Sequence, residues 1–186
     1  MVTIKATIKL FLVAIISGTC TTSQLIAEQD ILSDLYSDLK TADAKTAFSL
    51  EREIKRLWVF SGSPSVDFLY EKGSSAFLAG DYATSIEHYS AALEFAPDFA
   101  MAWFARARAY TYINYDGPAL KDLEKALSLD PRQFHALLGL GQLLEKLDMQ
   151  ALAFKTYEEA LEIHPHLAEA KKLRDQIYRS FVKKQI

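Results

Sequence analysis

The stretch AMAWFARARAYTYINYDGPALKDLEKALSLDP, residues 100–131, carries the pattern that decides the fold. Its first half has Trp103 and Ala107 at helical spacing, and its second half carries apolar residues at the same spacing. The polar and glycine-proline segment at residues 114–118 separates the halves and predicts a turn. Proline lacks an N–H and disfavours the α conformation in the preceding residue, so the second helix is expected to end before Pro131. The stretch therefore predicts two helices joined by a short turn.

The same pattern recurs every 34 residues on both sides of this stretch. The residues in phase are Pro97, Pro131 and Pro165; Gly73, Ala107 and Gly141; Tyr89, Leu123 and Tyr157; and Ala92-Leu93, Ala126-Leu127 and Ala160-Leu161. A 34-residue period with small residues at positions 8 and 20, a large apolar residue at 24, Ala at 27 and Pro at 32 resembles the tetratricopeptide repeat. The resemblance extends from Val66 to Leu167 in three tandem units.

This resemblance implies an all-α fold, a tetratricopeptide-repeat α-solenoid of three helix-turn-helix repeats. The repeats occupy residues 66–99, 100–133 and 134–167, within a repeat region of residues 63–167. In such a solenoid each hairpin leaves an apolar face open, and the next repeat covers it.

Three residues depart from the family pattern in the first two repeats. Lys72 and Arg106 occupy position 7, where the family usually has Leu, and Ser85 replaces Ala at position 20. We therefore expect the local packing of these two repeats to differ from the family pattern while the architecture is kept.

Two helical segments flank the repeats. Residues 28–62 predict an N-terminal helical hairpin that breaks near Thr41 and does not match the repeat, so we expect an atypical cap over the open apolar face of the first repeat. Residues 168–186 predict one C-terminal capping helix, helical to about Val182. Its many basic residues suit the negative end of a helix dipole, an interpretation favoured over a nucleic-acid or lipid patch.

Residues 1–27 have the pattern of a secretory signal peptide: Lys5 and Lys9 precede a short apolar run, followed by small and polar residues. Cleavage is expected after Ala27 or near Cys20. The run is too short to indicate a membrane-spanning helix. The sequence therefore predicts export to the periplasm of a Gram-negative-type cell envelope.

Cys20 is the only cysteine among 186 residues, and two interpretations remain open. It is either the lipid-attachment cysteine of an envelope lipoprotein, or it leaves with the signal peptide or lies beside the cleavage site. In the second case the mature domain has no thiol, which fits an oxidising compartment.

Composition and side-chain spacing argue against catalysis and against nucleic-acid binding. The formal charge is −3, so the chain has no general attraction for nucleic acid. Three groups of residues are not expected to form a site. The histidines lack metal-ligand spacing: His88, His135, His164 and His166. Gly139 and Gly141 are interpreted as packing residues inside a helix, and Glu51, Glu53, Glu158 and Glu159 as solvated helix faces. We expect no enzyme activity, no cofactor and no metal.

The resemblance implies a concave groove lined by the first helix of each repeat. The predicted lining comprises Tyr70, Ser74 and Phe77 from the first repeat, Met101, Phe104, Arg108 and Tyr112 from the second, and His135, Leu138 and Gln142 from the third. The alternative is that several of these aromatics pack between helices or lie under the N-terminal hairpin. Relatives that clamp a C-terminal carboxylate use Lys and Asn at positions 5 and 9 of the first repeat; Tyr70 and Ser74 do not support such a clamp.

The function implied is non-catalytic binding of a protein or peptide partner of the cell envelope in this groove. The alternative is a self-associating scaffold or assembly factor of an envelope complex, which would form a homo-oligomer. Contact with the membrane is expected only through the signal peptide or a lipid on Cys20.

Overall fold

A computed structural model describes residues 22–183 of the chain, with side chains described for residues 31–181. Nine helices lie within that range: α1 (Thr22–Thr41), α2 (Ala44–Trp58), α3 (Pro64–Leu78), α4 (Tyr82–Phe95), α5 (Ala100–Tyr112), α6 (Asp116–Leu129), α7 (Phe134–Lys146), α8 (Gln150–Ile163) and α9 (Ala168–Lys183). The predicted all-α fold is confirmed. Helix α1 begins inside the segment assigned to the signal peptide; Cys20 and the rest of that segment up to residue 21 lie outside the described residues.

The middle of the chain forms three successive helical hairpins. Helix α3 pairs with α4, α5 with α6, and α7 with α8, while α4 packs on α5, α6 on α7, and α9 on α8. This confirms the α-solenoid of three repeats followed by a C-terminal helix.

The turn inside each repeat has the same backbone geometry. Gly80, Asn114 and Asp148 are 34 residues apart and have φ values of 80°, 59° and 58°. Glycine adopts this left-handed conformation without a Cβ penalty, and Asn and Asp tolerate it better than other side chains. These residue types therefore set the turn at position 15 of each unit.

Small residues at position 8 allow the two helices of a repeat to approach closely. A methyl group placed on Gly141 would lie 2.3 Å from Cε1 of Tyr157, and one placed on Gly73 would lie 2.7 Å from the ring of Tyr89. Both tyrosines are buried. The pairing of positions 8 and 24 accounts for Gly141 as a packing residue.

Lys72 and Arg106, which replace the family leucine at position 7, have different surroundings in the structure. The Nε and one terminal nitrogen of Arg106 donate to the two carboxylate oxygens of Asp122 at 2.7 and 2.9 Å, and its other terminal nitrogen donates to Ser90 at 2.9 Å. Lys72 is exposed, with its ammonium 5.3 Å from the ring centre of Phe68. An ion pair between helices thus replaces the family leucine in the second repeat, and solvent surrounds the lysine in the first.

The N-terminal hairpin does not cover the first repeat, so that expectation is wrong. Helices α1 and α2 pack on the third repeat, where α1 contacts α8 and where Trp58 lies 4.9 Å and Tyr36 6.5 Å from the ring of Phe134. The indole N–H of Trp58 donates to the Tyr36 hydroxyl at 3.1 Å, and that hydroxyl donates to Asp130 at 3.3 Å. Phe134 is an aromatic ring at position 1 of its repeat, and it gives the hairpin an apolar docking surface at this end of the array.

None of the helices between residues 22 and 183 is both long enough and apolar enough to cross a membrane.

Candidate peptide-binding groove

A groove of about 480 Å³ opens on the concave side between α5 and α7. Helix α2 of the hairpin and the start of α9 complete its lining. Its residues are Lys55, Met101, Phe104, Arg108, Thr111, Tyr112, Leu123, His135, Leu138, Gly139, Gln142, Leu143, Lys146 and Glu169.

The groove brings together the predicted residues of the second and third repeats. These are Met101, Phe104, Arg108, Tyr112, His135, Leu138 and Gln142. They occupy positions 2, 5, 9 and 13 of α5 and α7, which lie on one face of each helix because α-helical side chains three or four apart are neighbours. The 34-residue period then places the same face of successive first helices toward the same side.

The predicted residues of the first repeat lie outside this groove. Tyr70 is packed between the rings of Tyr89 and Phe99, at centre-to-centre distances of 5.5 and 5.4 Å. Burial raises the pKa of the Tyr70 hydroxyl. For Tyr70 the alternative of an aromatic packed between helices therefore describes the structure. Ser74, one turn further along α3, is partly buried and is likewise absent from the lining.

Phe77 also comes from the first repeat. It does not line the groove but contacts two residues that do, Tyr112 and Arg108. Its ring contacts Tyr112 with a separation of 5.2 Å between ring centres. The guanidinium of Arg108 lies 4.6 Å from the Phe77 ring and 5.7 Å from the ring of Phe104. Aromatic faces attract a guanidinium electrostatically, so these two rings hold Arg108 in place.

Arg108 is exposed and, within residues 31–181, forms no ion pair with a carboxylate. An arginine presents a planar fork of N–H donors that matches a carboxylate. Its charge is therefore available to an acidic or carbonyl group that enters the groove beside Phe104.

Two lining residues were missed because they lie outside the three repeats. Lys55 belongs to the hairpin, which was expected to cover the first repeat. Glu169, which accepts a 2.9 Å hydrogen bond from Gln142, belongs to α9. If the 34-residue numbering is continued past Leu167, Glu169 falls at position 2, which is a groove position. The repeat period could therefore have predicted Glu169 as a lining residue.

Glu51 was interpreted as part of a solvated helix face, and the structure corrects this. It lies partly buried on α2, where Oε1 accepts from Nε2 of His135 at 3.0 Å and Oε2 accepts from Nε2 of His164 at 3.2 Å. The hydrogen bond from His135 is the main cause that lowers the pKa of Glu51 to about 2. Burial lowers the pKa of His164. An ionised carboxylate that accepts from the Nε2–H groups of both rings fits the lowered pKa of Glu51.

Among residues 31–181, no cluster of three or more His, Cys, Asp or Glu side chains could hold a metal ion. The groove combines apolar side chains with the cations of Lys55, Arg108 and Lys146, the amide of Gln142 and the carboxylate of Glu169, which are the groups of a binding surface.

Sequence comparison matches the chain to the tetratricopeptide repeat family over residues 34–98, 70–111 and 119–168, and again over residues 100–133. A TPR repeat-containing protein of Rhizobium etli is 29% identical over 135 residues, which make up 72% of this chain and 66% of that protein. Tetratricopeptide repeat protein 12 of Homo sapiens is 32% identical over 139 residues, 75% of this chain and 19% of that protein. The chain thus spans no more than 66% of the length of either relative.

The fold is similar to solved repeat domains. The first TPR domain of Spaghetti (RPAP3), bound to the HSP90 peptide SRMEEVD, superposes with a TM-score of 0.61 at 26% identity, covering 63% of this chain and 93% of that one. The Sgt2 TPR domain of Aspergillus fumigatus gives 0.62 at 25% identity, covering 66% and 83%. With family matches over more than half of its residues, this chain belongs to the tetratricopeptide repeat family.

Proposed function

We propose that the chain is a non-catalytic binding module that takes a segment of a partner protein into the groove. The observation that carries this is the exposed guanidinium of Arg108, held beside the rings of Phe77 and Phe104 in a groove that also offers the apolar side chains of Met101 and Leu138. The likeness to a repeat domain solved with a bound peptide supports the same interpretation.

The groove suits a segment with an apolar residue next to an acidic one. Met101, Phe104 and Leu138 offer apolar surface, and aromatic anchors supply much of the energy in protein interfaces. Arg108 would fix the register of the segment by pairing a carboxylate. The clamp with Lys and Asn at positions 5 and 9 of the first repeat is not part of this proposal, because Tyr70 is packed against Tyr89 and Phe99.

The proposed setting is the periplasm, and it rests on the sequence of residues 1–27 alone. Export with cleavage predicts that the protein fractionates with the periplasm and that deleting residues 2–27 retains it in the cytoplasm. A lipid on Cys20 would instead place the protein in the membrane fraction, and Cys20→Ser would release it. These two outcomes separate the alternatives.

The groove is tested by capture of partners in the native compartment, with crosslinking and mass spectrometry. The variant that combines Phe104→Ala with Arg108→Ala is expected to lose captured partners, and the affinity for an identified partner segment should fall at least about tenfold. Phe104 is buried, so a second variant, Arg108→Ala with Tyr112→Ala, alters the groove through exposed side chains.

The matched control removes the same side-chain types outside the groove. Phe95 and Arg56 are both exposed, and neither lines the groove. The double variant Phe95→Ala with Arg56→Ala should keep wild-type capture. If both groove variants also capture every partner as the wild type does, the groove is the wrong place.

A further inference from the structure

Besides its apolar packing, the N-terminal hairpin is joined to the third repeat by one carboxylate shared between two histidines. Glu51 projects from α2, His135 from the second position of α7, and His164 from the loop between α8 and α9. The three side chains therefore join three parts of the chain that are far apart in sequence. We call Glu51, His135 and His164 the latch.

His164 is the buried member of the latch. It is 1% exposed, and the centre of its ring lies 5.0 Å from the centre of the Phe134 ring, with the two ring planes 77° apart. Its Nε2 donates to Glu51, and its Nδ1 is buried without a hydrogen-bond partner in the described part of the chain. A neutral imidazole can leave Nδ1 as an unprotonated acceptor, whereas a protonated ring would bury an unpaired N–H and a charge.

We propose that the latch is sensitive to protons: it holds the hairpin on the third repeat when His164 is neutral and loosens when His164 is protonated. Loosening would uncover the surface of Phe134 and His135 under the hairpin and would remove Lys55 from the lining of the groove. The consequence for partner binding rests on the proposed function; the loosening itself does not.

The charged groups around His164 act on its protonation in opposite directions. Glu51 favours the protonated ring, while His135 and His166 disfavour it, and burial outweighs the carboxylate. Lys55 lies 3.7 Å from Glu51 and already offsets part of its charge. His166 donates to the backbone oxygen of Ala42 at 3.0 Å, at the turn of the hairpin.

The direction of the pH effect follows from the lowered pKa of His164. The open hairpin exposes an imidazole with its usual pKa of 6.5, so the open state binds more protons than the docked state. Docking is then fully favourable above that pH and weakens as the pH falls below it. The pKa of Glu51 is far lower, so Glu51 stays ionised through this range.

The test is hydrogen exchange of the α2 amides in the full chain without any partner, at pH 7.5 and pH 5.5, with rates corrected for intrinsic exchange. One proton taken up on opening predicts about a tenfold loss of α2 protection between these two pH values. Amides of α5 and α6 in the same sample, which lie outside the latch, should keep their protection. Unchanged or increased protection of α2 at pH 5.5 overturns the proposal.

Two variants assign the effect to His164. His164→Gln should flatten the pH response of α2, whereas His88→Gln, a partly exposed histidine on α4, should retain it. If His164→Gln undocks the hairpin at both pH values, Glu51→Gln provides the second test: it keeps His164 and should still lose protection on acidification, from a lower starting value. A flat response in Glu51→Gln contradicts the assignment to His164. Because no partner is present, failure of the latch leaves the groove proposal untouched.

Discussion

The two ends of the array are built differently at equivalent positions. At positions 7 and 10 the first repeat has Lys72 and Ser75, both exposed, whereas the third repeat has Leu140, partly buried, and Leu143, fully buried. The first repeat thus presents solvated side chains where the third presents apolar ones. Position 1 is apolar and buried in both repeats, as Val66 in the first and as the aromatic ring of Phe134 in the third.

This difference explains where the extra helices lie. The hairpin and α9 both pack at the third repeat and share one buried cluster with it, which includes Trp58, Phe134, Tyr157 and Ile177. A terminal unit must be polar or covered to remain in solution. In this protein the first repeat is polar at positions 7 and 10, and the third repeat is covered by the hairpin and α9. The position of the hairpin therefore does not follow the order of the segments along the chain.

The largest expected effect comes from removing the hairpin's main apolar contact. Trp58→Ala deletes a buried indole that packs on Phe134 at 4.9 Å, and it removes the donor to Tyr36. We expect a loss of about 4 kcal/mol in the free energy of unfolding, measured by urea denaturation followed by circular dichroism.

Phe60→Ala is the matched control for the tryptophan, because Phe60 lies two residues further on with 59% of its side chain exposed. Its expected effect is within about 0.5 kcal/mol. Equal losses from the two variants would mean that the hairpin does not depend on the third repeat, and the comparison of the two ends would fail.

The second prediction compares position 7 of the first two repeats. Arg106→Met leaves the buried carboxylate of Asp122 without its partner, and we expect a loss of about 3 kcal/mol in the same denaturation experiment. Lys72→Met, at the exposed end, should change stability by no more than about 0.5 kcal/mol. Combining Arg106→Met with Asp122→Leu should recover part of the loss, because no buried charge is then left unpaired. No recovery would show that packing of the arginine stem is what matters.

Much of the fold could be predicted from sequence because it repeats. The 34-residue spacing of Gly73, Ala107 and Gly141 fixes which side chains must be small, and the helical period then fixes which face lines the groove. For that reason the residues that the sequence predicted for the second and third repeats lie together in the groove. Arg106 shows the limit of a consensus, since its partner Asp122 becomes visible only when the two helices are packed.

The position of the hairpin could not be predicted in the same way. Glu51 bonds residues 84 and 113 positions further along the chain, and such a contact leaves no periodic trace in the sequence. The expectation that the hairpin would cover the first repeat used the order of the segments, whereas the energy of docking depends on which surface is apolar. Lys55 lines the groove because it belongs to this hairpin, so its place could not be predicted either.

The smallest expected effects come from glycines at position 8, and they test how freely each end can adjust. Gly141→Ala would force a methyl group to within 2.3 Å of Tyr157, a fully buried ring in a helix that α9 covers on its far side. We expect a net loss of about 2 kcal/mol from overpacking. Gly73→Ala meets Tyr89 at 2.7 Å, but α3 ends the array and can shift outward. The gain in helix propensity of about 1 kcal/mol should then offset most of the clash.

Gly117→Ala, with no atom within 4 Å of the added methyl group, is the control and should be neutral or slightly stabilising. If Gly73→Ala proved as costly as Gly141→Ala under urea, the first repeat would be as tightly held as the third, and covering helices would not account for the rigidity of that end.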